Sequence, residues 1–149
     1  MATRRESAAV AELIRAAFEE YRGRLEPESG ALGETAETIA AAFADHTVIV
    51  AEADGRLVGC VLATWRGMEL YLGRFAVDPA FRRHGIASRL LADAERHART
   101  SGAATLTLGV RIALSDNFHY FAERGFRETG REPHPGLNHP TSITIVKYL

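Results

Sequence analysis

Residues 82–88, Arg-Arg-His-Gly-Ile-Ala-Ser, set two guanidiniums and a glycine directly before a run with helical spacing: Ile86, Leu90, Leu91, Ala94 and Ala98. The first N–H groups of a helix lack intrahelical acceptors and carry partial positive charge. The usual remedy is a Ser, Thr, Asp or Asn cap, and Arg82 to Gly85 supplies none. Free N–H groups, flanking arginines and a glycine that admits close backbone approach suit a bound anion, most naturally a phosphate. A solvated basic turn would carry the same charge. Upstream, Phe75-Ala76-Val77 closes a strand that Asp78-Pro79 stops, since proline fixes φ and has no N–H.

Other chemistry is sparse. The single Cys60 precludes an internal disulfide and sits in the apolar run Val58 to Leu62, which favours a buried thiol over a nucleophile. His84 contributes its backbone to the phosphate turn more than its ring. His97 falls on the polar side of a helix, His46 begins a strand, and His119 lies on a short helix. His134 and His139 share a Pro-rich loop that could close over a pocket. No Cys/His cluster has metal-ligand spacing, so no metal is expected. No Ser, His and Asp arrangement reads as a triad.

These residues need a scaffold, and 149 residues are enough for one domain, residues 1–149, with a substantial core. A net charge of -1 argues against a general nucleic-acid or membrane-surface binder. Neither a signal peptide nor a membrane span is read, and a cytoplasmic location is expected. Thr3-Arg4-Arg5-Glu6 fits a capping box opening an amphipathic helix through Val10, Leu13, Ile14, Ala17, Phe18 and Tyr21. A loop over 25–33 and a second helix over 34–44 follow, a unit that could wall a cleft. Strands are expected over 46–53, 56–65 and 68–77, the first two joined by Asp54-Gly55. A helix over 85–100, a strand over 105–110, a short helix capped by Ser115 and running to Arg124, and strands over 126–131 and 141–149 complete the order. The pattern α, α, β, β, β, α, β, α, β, β implies an α/β fold of the α+β type around a mixed, mostly antiparallel sheet.

Arg82-Arg83-His84-Gly85-Ile86-Ala87 resembles the Arg/Gln-x-x-Gly-x-Gly/Ala signature of the GCN5-related N-acetyltransferases (GNAT). Asn117 and Gly125-Phe126 resemble that family's second marker, an asparagine on a short helix ending in Gly-Phe. The resemblance spans roughly residues 6 to 149. It implies a sheet splayed at the cofactor site and flanked by four helices, with acetyl-CoA as co-substrate. The pyrophosphate would sit on the N–H groups of His84, Gly85, Ile86, Ala87 and Ser88, flanked by Arg82 and Arg83. The backbone of Phe75, Ala76 and Val77 would pair with the pantetheine arm, and an N–H near Val77 would polarise the thioester carbonyl. Asn117 and Phe121 would line the cofactor.

Two positions depart from the family pattern. The tyrosine that protonates the leaving thiolate in many members corresponds to Phe121, with Tyr120 its neighbour; about 100° separates consecutive helical side chains. The glutamate that serves some relatives as base corresponds to Tyr71. Glu69, two residues back and on the same strand face, is the candidate base. The acceptor would meet the 18–43 segment, with Tyr21, Arg22, Glu26 and Ser29 as wall residues. The implied activity is acetyl transfer to a primary amine, on a small molecule or a peptide, by direct attack in a ternary complex. The alternative is a non-catalytic acyl-CoA sensor. A homodimer is plausible by resemblance, with the last strand as a candidate contact.

Overall fold

The stripe Val10, Leu13, Ile14 and Ala17 forms α1 (Ser7–Phe18), which buries all four side chains. Its entry is fixed upstream, where the Glu6 carboxylate accepts from the Thr3 N–H at 3.0 Å. The computed structural model describes residues 1–149. A 3₁₀ turn at Gly30–Gly33 interrupts the expected loop and leads into α2 (Ala36–Ala42), which Thr35 caps through the Thr38 N–H.

Then follow β1 (His46–Ala53), β2 (Arg56–Arg66), β3 (Glu69–Val77), α3 (Ile86–Thr100), β4 (Thr105–Arg111), α4 (Ser115–Ala122), β5 (Arg127–Glu132) and β6 (Ser142–Tyr148). The element order is the expected one. Ser115 opens α4 but makes no cap hydrogen bond; Leu114 occupies the cap position. No helix is long and apolar enough to cross a membrane.

The six strands lie in the order β1-β2-β3-β4-β6-β5. All neighbours are antiparallel except β3 and β4, which pair in parallel. The last strand is therefore interior, between β4 and β5.

The parallel pair is short. It runs from Glu69 opposite Thr105 to Leu72 opposite Leu108 and stops, although β3 continues to Val77 and β4 to Arg111. The cause lies in β3. Cys60 faces Ala76 and Leu62 faces Gly73, so Arg74 and Phe75 both fall opposite Val61. Arg74 accommodates this bulge with φ 50. A bulge bends and twists its strand, and β3 swings away while β4 stays with β6 as far as Arg111 opposite Ser142. The sheet opens into a fork whose inner edges carry unpaired backbone groups.

The bulge also changes which side chains face which layer. Leu70 and Leu72 join the core beneath α3, with Leu90, Leu91, Leu106, Leu108 and Ile145. Past the bulge, Ala76 joins the core beneath α1 and α2, with Val10, Ile14, Ile39, Cys60 and Leu62. Helices thus cover both faces, and the fork lies between the two layers.

Candidate active site

A cleft of about 990 Å³ passes through the fork, from the α3 face of the sheet to the α1 face. Its α3 half is lined by Arg83, Gly85, Ile86, Ala87, Ser88 and Asn117, among others. Gly85 sits at the helix cap with φ 76, a left-handed conformation that glycine adopts at no steric cost. The N–H groups of Gly85, Ile86, Ala87 and Ser88 find no acceptor in the protein, and no side chain caps them. Four free donors at the positive end of a 15-residue helix make an anion site. The helix start can approach the sheet because Gly59 lies beneath it; a Cβ there would come within 2.8 Å of both Ile86 and Leu90 side chains.

The two arginines divide. Arg83 lines the cleft with φ 67 and no side-chain partner. Arg82 also lines the cleft, but its guanidinium is engaged, pairing with Glu20 at 2.5 Å and donating to the Ala17 carbonyl at 3.3 Å. The His84 ring lies outside the cleft lining, its Nδ1 2.9 Å from the Arg82 carbonyl. Phe75, Ala76 and Val77 border the fork on β3, where the ladder to β4 has ended. An extended ligand with amide groups can add there as a strand.

Phe121 is buried, edge-on to Phe75 and Phe126 with centroids 5.6 Å apart in each case, and forms part of the cleft floor. Tyr120 lines the cleft too, but its hydroxyl is held 2.9 Å from Ser88 Oγ, and Arg124 lies 3.6 Å over its ring. Tyr120 therefore faces the anion end rather than the fork. One helical step from Phe121 directs the hydroxyl to Ser88.

The α1 half is walled differently. Tyr71 leans across β4, its hydroxyl 3.3 Å from where a Gly109 Cβ would stand. Glu69 shares its strand face but is not among the lining residues. It sits one pleat repeat, about 6.6 Å, toward the closed end of the sheet, at the first rung opposite Arg66 and Thr105. The candidate base of the sequence reading thus lies beside the cleft and not among its lining residues.

Tyr21 and Ser29 line this half, Ser29 with its hydroxyl engaged by the Ala31 N–H at 3.2 Å. Glu26 does not; it is exposed, and only its carbonyl faces inward, to Arg111 at 3.4 Å.

Four charged residues of this wall were not anticipated. Arg74 binds Glu34 at 2.8 Å, and Arg111 donates to the Pro27 carbonyl at 2.5 Å. Both tie the α1–α2 connection to the two arms of the fork. Arg66 lays its guanidinium 3.7 Å over the Tyr71 ring.

Two histidines also line this half. His46 Nδ1 lies 2.6 Å from Asp45. His134, in the Pro-rich loop, is held at Nδ1 by the Thr141 hydroxyl. Burial, and behind it the Arg111 charge, lowers its pKa below the ordinary imidazole value of 6.5, so it is neutral near pH 7. Cys60 is no rival nucleophile: fully buried, its thiol is pushed up to about 12. No group of three His, Cys, Asp or Glu side chains is placed to hold a metal.

Known structures share this architecture. The PaiA N-acetyltransferase from Thermoplasma acidophilum, in complex with coenzyme A, superposes with a TM-score of 0.81 at 18% identity, over 99% of this chain and 96% of that one. An aminoglycoside 6'-N-acetyltransferase complexed with coenzyme A gives 0.74 at 16% identity, over 95% and 89%. The ribosomal-protein-S18-alanine N-acetyltransferase from Escherichia coli gives 0.68 at 22% identity, over 91% and 86%. A search of curated protein sequences found no match. The sequence model of the acetyltransferase (GNAT) family matches residues 8–126, a stretch that contains the uncapped helix, both arms of the fork and Asn117. This chain therefore belongs to the GNAT family and is an acetyl-CoA-dependent N-acetyltransferase.

Proposed function

We propose that the acetyl-CoA diphosphate rests on the N–H groups of Gly85 to Ser88 with Arg83 beside it, and that the amine enters from the α1 face. The observation that carries this reading is the passage of one cleft through the fork, from four free donors to a separately built polar wall. Pantetheine runs along Phe75 to Val77 and beside Asn117. The acetyl group then lies in the fork, where an acceptor from the opposite layer reaches it directly.

Transfer is a single displacement. The amine nitrogen attacks the thioester carbonyl, an N–C bond forms as C–S breaks, and an unpaired β3 N–H near Val77 stabilises the oxyanion. His134 is the base. This role takes the tautomer in which His134 Nδ1–H donates to Thr141 Oγ1, with the Thr141 hydroxyl turned to the Glu132 carbonyl at 3.4 Å. That leaves the Nε2 lone pair to take the proton from the amine, directly or through one water. Coenzyme A departs as thiolate, since a thiol of pKa about 8.5 needs no full proton transfer to leave. Tyr71, across Gly109, orients the acceptor. The acceptor class is a primary amine on a small molecule or an exposed peptide group.

Thiol release from acetyl-CoA in the presence of amines tests this. His134→Gln should lower kcat by about 10²-fold or more, the usual worth of a general base, and leave coenzyme A affinity intact. An unchanged kcat would remove His134 from this role.

A further inference from the structure

We propose that the acceptor amine also carries an anionic group, a carboxylate or a phosphate, which Arg66 binds with Arg111 in support. The inference rests on the acetyltransferase reading above and specifies the substrate of that site.

The charges of the cleft are unequal. Over the whole lining, five arginines (Arg66, Arg74, Arg82, Arg83 and Arg111) face two carboxylates, Glu34 and Asp116. Glu34 is already satisfied by Arg74 at 2.8 Å and the Thr38 hydroxyl at 2.6 Å. Arg111 spends its donors on the neutral carbonyls of Pro27 and Glu26, so its charge is not cancelled by contact. Glu28, whose charge acts on it, lies outside the lining and accepts from the Gly23 N–H at 2.7 Å. The Arg66 side chain makes no hydrogen bond or ion pair; Glu69, its cross-strand neighbour, pairs with it through the ladder alone.

An arginine stacked on Tyr71 is restrained yet keeps its planar fork of donors free. That geometry suits bidentate capture of a carboxylate or phosphate and reduces the ordering needed on binding. A diamine or an aminoglycoside would instead bring a second cation to a wall with surplus positive charge. The same field disfavours the ammonium form of the acceptor, which helps the amine reach its nucleophilic state.

The test compares kcat/KM, with acetyl-CoA, for phenylalanine against 2-phenylethylamine, O-phosphoethanolamine against ethanolamine, and putrescine. At least one acid should exceed its uncharged-tail partner, and putrescine, by about tenfold or more, the scale of one charge-assisted contact; the larger ratio identifies carboxylate or phosphate. Arg66→Gln should lower kcat/KM for that acid about fivefold or more relative to its uncharged-tail partner, with coenzyme A affinity unmoved. Turnover of putrescine or the simple amines at the rate of the acids would overturn the inference while leaving acetyl transfer standing. Coenzyme A binding with no amine acetylated would overturn acetyl transfer itself, and the inference with it.

Discussion

Glu34 is the residue through which the α1–α2 connection is fastened to the bulge in β3. Burial alone would raise its pKa. The hydrogen bonds from Thr38 and Arg74 and the Arg74 charge more than offset this, and its carboxyl is held below the ordinary 4.5. A carboxyl lowered on folding stabilises the native state above its unfolded pKa and ceases to do so as pH falls through the folded value. The melting temperature should therefore drop on acidification below about pH 4.5. Glu34→Gln, which has no proton to gain, should show a shallower drop; parallel profiles would mean that the pair contributes nothing measurable to acid sensitivity. Such residues were invisible in the sequence because their partners are remote: 40 positions separate Glu34 from Arg74, and 84 separate Pro27 from Arg111. Glu69 and Tyr71 show the complementary limit. Strand parity correctly placed both on one face, but only the depth of the fork decides which of them reaches the cleft.

Among elements, α3 and the strands beneath it were the most legible. Proline at 79, the missing cap and the apolar stripe from Ile86 to Ala98 each act locally, so the strand, turn and helix could be read in order. The β3 bulge was hard to read, since the positive φ of 50 falls on Arg74 and only the neighbouring Gly73 hints at an irregular strand. Gly59 was equally silent, although it sets how closely α3 approaches β2. Gly59→Ala would drive a Cβ to within 2.8 Å of Ile86 and the fully buried Leu90. Overpacking of that kind costs about 1–3 kcal/mol, to be read as a lower denaturation midpoint in urea. Because the displaced atoms belong to the first turns of α3, coenzyme A affinity should fall as well. An unchanged midpoint and affinity would show that the helix start does not depend on this contact.

At the scale of the whole molecule, the sheet is two three-stranded halves joined by four residue pairs between β3 and β4. Helices on both faces hold the halves together, and the fork beyond Leu72 admits a ligand that completes the sheet. Family signature, element order and donor site were readable from the chain because they are local or ordered along it. The acceptor wall assembles from β2, β3, β4, the α1–α2 connection and the Pro-rich loop, and only the fold brings those together. The central claim is that this assembly grips acetyl-CoA by the uncapped start of α3. Calorimetric titration of coenzyme A into the wild type and into Gly85→Asp tests it most directly. A Cβ at position 85 meets nothing within 4 Å, and aspartate tolerates the left-handed region better than most residues, so the variant should fold. The account predicts binding of one equivalent by the wild type and affinity weaker by about tenfold or more in the variant, from like-charge repulsion at the donor site. Equal affinity in two folded proteins would contradict it.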